Sequence, residues 1–256
     1  MTPVFLVLLL MTAVPLNAAK NEDQSNESLD VSEIIEKANE DISEILIHGD
    51  IAPSLTKNAV PCTATGCKWP KSGRYVYVPV FISSAYTPSE RDIIIKGLVS
   101  FHSSTCIRFV WWKPENRDYL YFMSKTGCWS HLGRQNGGQI VSLQKGGCVY
   151  HKTVQHEILH ALGFHHEQVR SDRDQYVQIL NENIQEGKEH NFRKEQTNNL
   201  ETSYDFTSVM HYSRNAFSKN GQPTIVAKSN ANLIFGYASE MSANDIARVN
   251  KLYGCW

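Results

Sequence analysis

His156-Glu157-Ile158-Leu159-His160-Ala161-Leu162-Gly163-Phe164-His165-His166-Glu167 is the stretch on which the reading of the chain turns. If its start is helical, His156 and His160 stand one turn apart on one face, close enough for two imidazoles to share a zinc ion. Continuing the helix would rotate His166 away from that face. Gly163 removes the difficulty, because a residue without a Cβ can take positive φ, end the helix and bring His166 to the metal from another side. Three neutral nitrogens holding one Zn2+ per subunit leave a coordination position for water. Glu157 is then placed to take a proton from that water and pass it to a leaving amine. His165 has no place in this pattern and is expected beside the site without binding metal.

The chain has 256 residues, enough for a catalytic domain of about 200 once a leader is set aside. Val4 to Leu16 is an apolar run followed by Ala18 and Ala19, too short to span a bilayer. It reads as a signal peptide over residues 1–19, although no basic residue precedes it. Cys62, Cys67, Cys106, Cys128, Cys148 and Cys255 form an even set in a chain read as secreted, which favours disulfides and leaves their pairing open. Residues 20–57 carry ten acidic and three basic side chains, whereas 58–256 carry 16 acidic and 22 basic. An acidic prosegment on a mildly basic enzyme fits this division. No lysine-arginine block argues for nucleic acid, and no stretch beyond the leader suits a membrane.

Lys20 to Asp30 is polar and contains the sequon Asn26-Glu27-Ser28. Val31 to Ile45 then places apolar residues on one helical face. Gly49-Asp50 follows, a carboxylate behind a flexible glycine that suits either a turn or a reach to zinc. Tyr75 to Ile82 alternates as a strand, and Thr87-Pro88-Ser89-Glu90 opens a helix through about Phe101 with a capping box and proline at its first position. Ile107 to Trp112, Tyr119 to Met123 and Gln139 to Leu143 read as further strands, with Gly133 to Gly138 as a loop. Trp111, Trp112 and Trp129 are expected in the core rather than in a substrate pocket. The second half is poor in regular elements until Ser242-Ala243-Asn244-Asp245 caps a last helix, so its core is expected to lean on disulfides.

Beyond Glu167 the chain continues Gln168-Val169-Arg170-Ser171-Asp172-Arg173-Asp174, and later reads Ser208-Val209-Met210-His211-Tyr212. With the zinc string, these residues resemble the astacin family of metzincin endopeptidases, matching its H-E-x-x-H-x-x-G-F-x-H-E-x-x-R-x-D-R-D signature and methionine turn without a substitution. The resemblance implies an α+β fold, with a twisted mixed sheet and two helices in an upper part (58–166) and little regular structure in a lower part (167–256). A cleft would run between them. It implies zinc on His156, His160 and His166, Glu157 as general base, Met210 beneath the metal, and Tyr212 as a fifth ligand that swings away to stabilise the oxyanion. In the zymogen, Asp50 would ligate zinc from the prosegment of residues 20–57. An activating protease would cut after Lys57, and the new terminus at Asn58 would be buried near Glu167. Cys106 would pair with Cys255 and Cys128 with Cys148, while Cys62 and Cys67 would mark the six-cysteine branch found among fish hatching enzymes. Asn58 to Tyr77 and Phe101 to Tyr119 look like the type that digests egg envelope already softened by a companion protease. The implied protein is a monomer secreted from granules as a zymogen, acting on egg-envelope glycoproteins. The alternative is a digestive or developmental protease of the same chemistry with another protein substrate.

Overall fold

The computed structural model describes residues 30–43, 46–53 and 67–255. The leader, the sequon at Asn26, Lys57, Asn58 and Cys62 lie outside these residues.

Helix α1 (Val31–Ala38) begins with a capping box, in which the Asp30 carboxylate accepts from Glu33 N–H and the Glu33 side chain accepts from Asp30 N–H. The expected helix to Ile45 stops at Ala38. Asn39 takes the cap position and its side chain is drawn to the sheet, where Nδ2 donates to the Gly49 and Cys128 carbonyls and Oδ1 accepts from Cys128 N–H. Long-range bonds thus decide where the apolar face ends. Val31, Ile34 and Ile35 are nonetheless buried in the main core, as the periodicity requires.

A seven-stranded mixed sheet follows in the order β1-β6-β7-β5-β3-β2, with β4 also paired to β3. Its strands are β1 (Ile51–Ala52), β2 (Lys71–Ser72), β3 (Tyr75–Ile82), β4 (Ile107–Trp111), β5 (Tyr119–Met123), β6 (Cys128–His131) and β7 (Gly138–Leu143). Strand β6 runs antiparallel to β7 and parallel to β1. Helix α2 (Pro88–Ser104) starts at the Thr87/Glu90 capping box, and α3 (His151–Ala161) carries the first two histidines of the zinc string. Val76, Val78, Val80 and Ile82 of β3 meet Ile94, Leu98 and Phe101 of α2 and Val154 and Ile158 of α3 in one core. The other residues of β3 face away from it, as the two-residue period of a strand dictates.

The tryptophan expectation fails. Trp111 is 57% exposed, and Trp112 and Trp129 are only partly buried. Trp111 sits at the last position of β4.

After α3 the chain forms short turns, a two-stranded sheet of β8 (Val177–Ile179) and β9 (Ile225–Ala227), and helix α4 (Ala243–Tyr253). α4 opens on the Ser242/Asp245 capping box and ends on Gly254 in the left-handed conformation. This half holds its own core of Val177, Ile184, Phe192, Tyr204, Phe217 and Ile225 among others. As expected, Cys255 ties this half to the earlier chain by bonding to Cys106. Cys128 bonds to Cys148 and Cys67 is disulfide-bonded.

Candidate metal centre

Gly163 takes φ 105°, and the end of α3 forms a Schellman closure in which Phe164 N–H donates to the Leu159 carbonyl (3.0 Å) and Gly163 N–H to that of His160 (2.8 Å). The next carbonyls are also satisfied, Ala161 by Trp69 Nε1 and Leu162 by the Tyr253 hydroxyl, each at 2.9 Å. A helix end held on all sides fixes the direction in which the chain leaves. It returns His166 to the face of His156 and His160.

The three Nε2 atoms converge, His156 lying 3.1 Å from His160 and 3.2 Å from His166. Asp50 joins them, with Oδ2 3.0 Å from His156 and 3.1 Å from His166, and Oδ1 3.4 Å from His160. All four residues are buried, and their donor atoms lie within 4.8 Å of one another. His156 Nδ1 is 2.9 Å from the Val209 carbonyl and His160 Nδ1 is 2.7 Å from that of Phe164. A carbonyl only accepts, so each Nδ1 carries the proton and each Nε2 points a lone pair inward. Burial lowers the pKa of His160 and brings His166 down to about 3, which keeps the rings neutral as ligands must be. Three neutral nitrogens and one anionic oxygen around a common point fit a tetrahedral zinc ion.

Glu157 is fully buried, and both of its carboxylate oxygens lack a hydrogen-bond partner among the described residues. Burial and then the nearby Asp50 charge push its pKa well above the ordinary value. Such a carboxyl needs a water or substrate to complete it. Tyr212 packs against His166 with ring centroids 4.8 Å apart, and its hydroxyl donates to the His48 carbonyl. His165 stays out of the cluster. Its burial lowers its pKa to about 3, and it meets His48 edge-on with centroids 6.0 Å apart.

Met210 is buried, and its carbonyl accepts from Glu167 N–H at 2.9 Å. Glu167 already has internal partners, the guanidinium groups of Arg248 and Arg170 and the Asp205 N–H. Its charge is therefore compensated without an amino terminus. Sequence reasoning missed Arg248 and also missed Asp245, whose carboxylate accepts from Ser208 Oγ (2.6 Å) and Val209 N–H (3.0 Å). Asp245 was readable as a capping residue only; its second task depends on a fold that brings α4 to residues 208–210.

Residues 30–43 and 46–53 lie across this centre. Gly49 has φ 84°, and an added Cβ would stand 3.0 Å from Phe217 Cζ and 3.2 Å from the Tyr212 hydroxyl. Only glycine fits there, which explains the Gly49-Asp50 pair. β1 pairs with β6, Ser32 Oγ accepts from Ser213 N–H (3.0 Å), and Glu36 accepts from Phe217 N–H (2.9 Å).

Residues 63–254 match the family model described as Astacin, a peptidase family. The chain is 43% identical to High choriolytic enzyme 1 of Oryzias latipes over 89% of this chain and 84% of that one. It is 44% identical to Low choriolytic enzyme of Oryzias latipes, covering 93% of this chain and 89% of the relative. Among solved structures, High choriolytic enzyme 1, a hatching enzyme zinc-protease of the same fish, superposes with a TM-score of 0.74 at 46% identity, covering 78% of this chain and all of that one. With its zinc-binding geometry and this extended similarity, the chain belongs to the astacin family and is a zinc metalloendopeptidase related to hatching enzymes.

Proposed function

We propose that the protein is a secreted hatching protease that hydrolyses egg-envelope glycoproteins, made as a zymogen and stored in granules. The observation that carries the zymogen reading is Asp50 seated where three imidazole nitrogens converge, beside a Glu157 with no partner among the described residues. The similarity to two choriolytic enzymes over most of their length supports the envelope substrate. At 43% and 44% the identities do not separate the high from the low type, so the preference for softened envelope rests on the stretches 58–77 and 101–119.

In this reading His156, His160 and His166 hold zinc, and an activating protease cuts after Lys57 so that Asp50 leaves with the prosegment. Bound zinc supplies a Lewis acid that polarises the scissile carbonyl and acidifies the attacking water. Glu157 takes that water's proton and returns it to the leaving nitrogen, a transfer for which a buried carboxyl of raised pKa is suited. The Tyr212 hydroxyl, freed from the His48 carbonyl, donates to the substrate oxygen as negative charge develops there. Glu157→Ala is expected to retain zinc and lose nearly all turnover.

The test is solubilisation of isolated fish egg envelope, intact and pre-softened, by the activated enzyme, with casein as control and a zinc chelator as blank. Chelator-sensitive digestion of softened envelope is the expected result. Cleavage of casein alone would overturn the hatching role and leave a digestive or developmental protease of the same chemistry.

A further inference from the structure

The face of the sheet turned away from α2 and α3 is aromatic and basic. Tyr75, Tyr77 and Phe81 of β3 and Val110 of β4 are 37%, 43%, 42% and 37% exposed, respectively. Trp111 of β4 and Leu120 of β5 both pair with Val80, so β4 and β5 flank β3 on opposite sides there. Residues 112–118, which join them, must therefore pass over β3. They pass on this open face, where Trp112 packs against Phe81 (centroids 6.3 Å apart) and Tyr119 (5.2 Å). The crossing carries Lys113 and Arg117, both exposed. Arg74 stands exposed at the start of β3, and the Arg108 guanidinium lies 4.3 Å over the Tyr75 ring. The acids of the crossing are Glu115 and Asp118, and Asp118 is neutralised by Arg134 at 2.6 Å. The face is thus positively charged, and Tyr75, Tyr77, Phe81 and Val110 stay exposed on it.

We propose that this face is a second docking site for an acidic, extended segment of the polypeptide substrate, outside the cleft. Two observations choose that occupant. The excess of exposed guanidinium and ammonium groups calls for carboxylates. The ring pairs are edge-on rather than coplanar, Tyr75 with Tyr77 at 65° and Phe81 with Tyr121 at 68°. Such rings leave notches for apolar side chains and offer no flat platform for a sugar. The reach is also short. Asp50 directly precedes β1, which pairs with β6, and β3 is three strand steps from β6, roughly 14 Å, which about five extended residues would cover. The proposal rests on the endopeptidase reading and adds a determinant of substrate choice to it.

The experiment uses the activated enzyme, two double variants, Arg74→Glu/Arg117→Glu and Tyr77→Ser/Phe81→Ser, and two kinds of substrate. One is a short quenched peptide that fills only the cleft, and the other is that peptide extended at either end by an alternating Glu-Tyr segment. At least one extension is expected to lower KM about tenfold in the unaltered enzyme with kcat unchanged. Both variants are expected to lose that gain while cleaving the short peptide normally. The charge variant alters exposed turns, so it remains informative if the aromatic variant folds poorly. Equal KM for short and extended substrates would overturn the proposal, as would competition by chitohexaose in place of a Glu-Tyr copolymer. Sedimentation showing a dimer that the aromatic variant dissociates would assign the face to self-association instead. Failure of the unaltered enzyme to cleave the short peptide would count against the endopeptidase reading and not against the face.

Discussion

In the proposed reaction Tyr212 would serve two states with one hydroxyl. It donates to the His48 carbonyl while Asp50 is seated, and would donate to the substrate oxygen once the proposed prosegment leaves. Tyr212→Phe in the activated enzyme is expected to lower kcat by about a hundredfold with little change in KM, the signature of a donor used only as charge develops. Steady-state kinetics on a short peptide decides this, and an unchanged kcat would remove Tyr212 from the reaction. Asp50→Ala should let the uncleaved chain hydrolyse the same peptide, whereas the unaltered uncleaved chain stays silent. The histidines and Gly163 were legible because their roles follow from spacing along one helix and its end. Asp50 was not legible in that way, since it reaches His156 across 106 residues and a turn beside a glycine has many ordinary uses. The resemblance, not the periodicity, pointed to it.

At the scale of elements, capping boxes read correctly from sequence because each is a contact between residues three apart, as at Thr87/Glu90 and Ser242/Asp245. β6, β8 and β9 were missed for the opposite reason. They are three or four residues long, too short to show a period, and distant partners help to set them, Ile51 meeting Ser130 of β6 and Val177 of β8 meeting Ala227 of β9. The ends of helices were also set from afar, as Asn39 shows. Helix α4 reaches the metal centre through Asp245, whose bond to Val209 N–H orders the residue whose carbonyl accepts from His156. Asp245→Ala is expected to weaken zinc binding roughly tenfold, read by competition with a chelator on folded protein. Asp205 links the same region to the start of α4, accepting from Ser242 Oγ and from Thr207 N–H and Oγ1. Burial would raise its carboxyl, and those bonds more than offset this, leaving its pKa below the ordinary value. A depressed folded pKa contributes stability above the unfolded value that is lost as pH falls through the folded one. Asp205→Asn should therefore cost about 1–2 kcal/mol at neutral pH, and the gap to the unaltered protein should narrow as the pH falls below the ordinary carboxylate range. Denaturant midpoints at the two pH values measure this.

The whole molecule is an upper sheet-and-helix core joined to a lower core of aromatic and β-branched residues, with the metal centre between and residues 30–43 and 46–53 in contact with both. The lower half is poor in regular elements, as expected, and its second core was not foreseen. Its members lie on short segments without a period, so no local pattern announces them. The Cys106–Cys255 bond closes a separation of 149 residues and ties the chain's end to the start of β4. Replacing both cysteines with serine is expected to cost about 5 kcal/mol, seen as a lower unfolding temperature of the zymogen. The central claim is that one zinc ion is held by His156, His160 and His166 and silenced by Asp50. Diffraction from crystals of the uncleaved chain on both sides of the zinc absorption edge tests it most directly. One anomalous peak is expected at the meeting point of the three Nε2 atoms, with an Asp50 oxygen about 2 Å away. A peak bound by water with Asp50 turned aside, or no peak at the histidines, would contradict it.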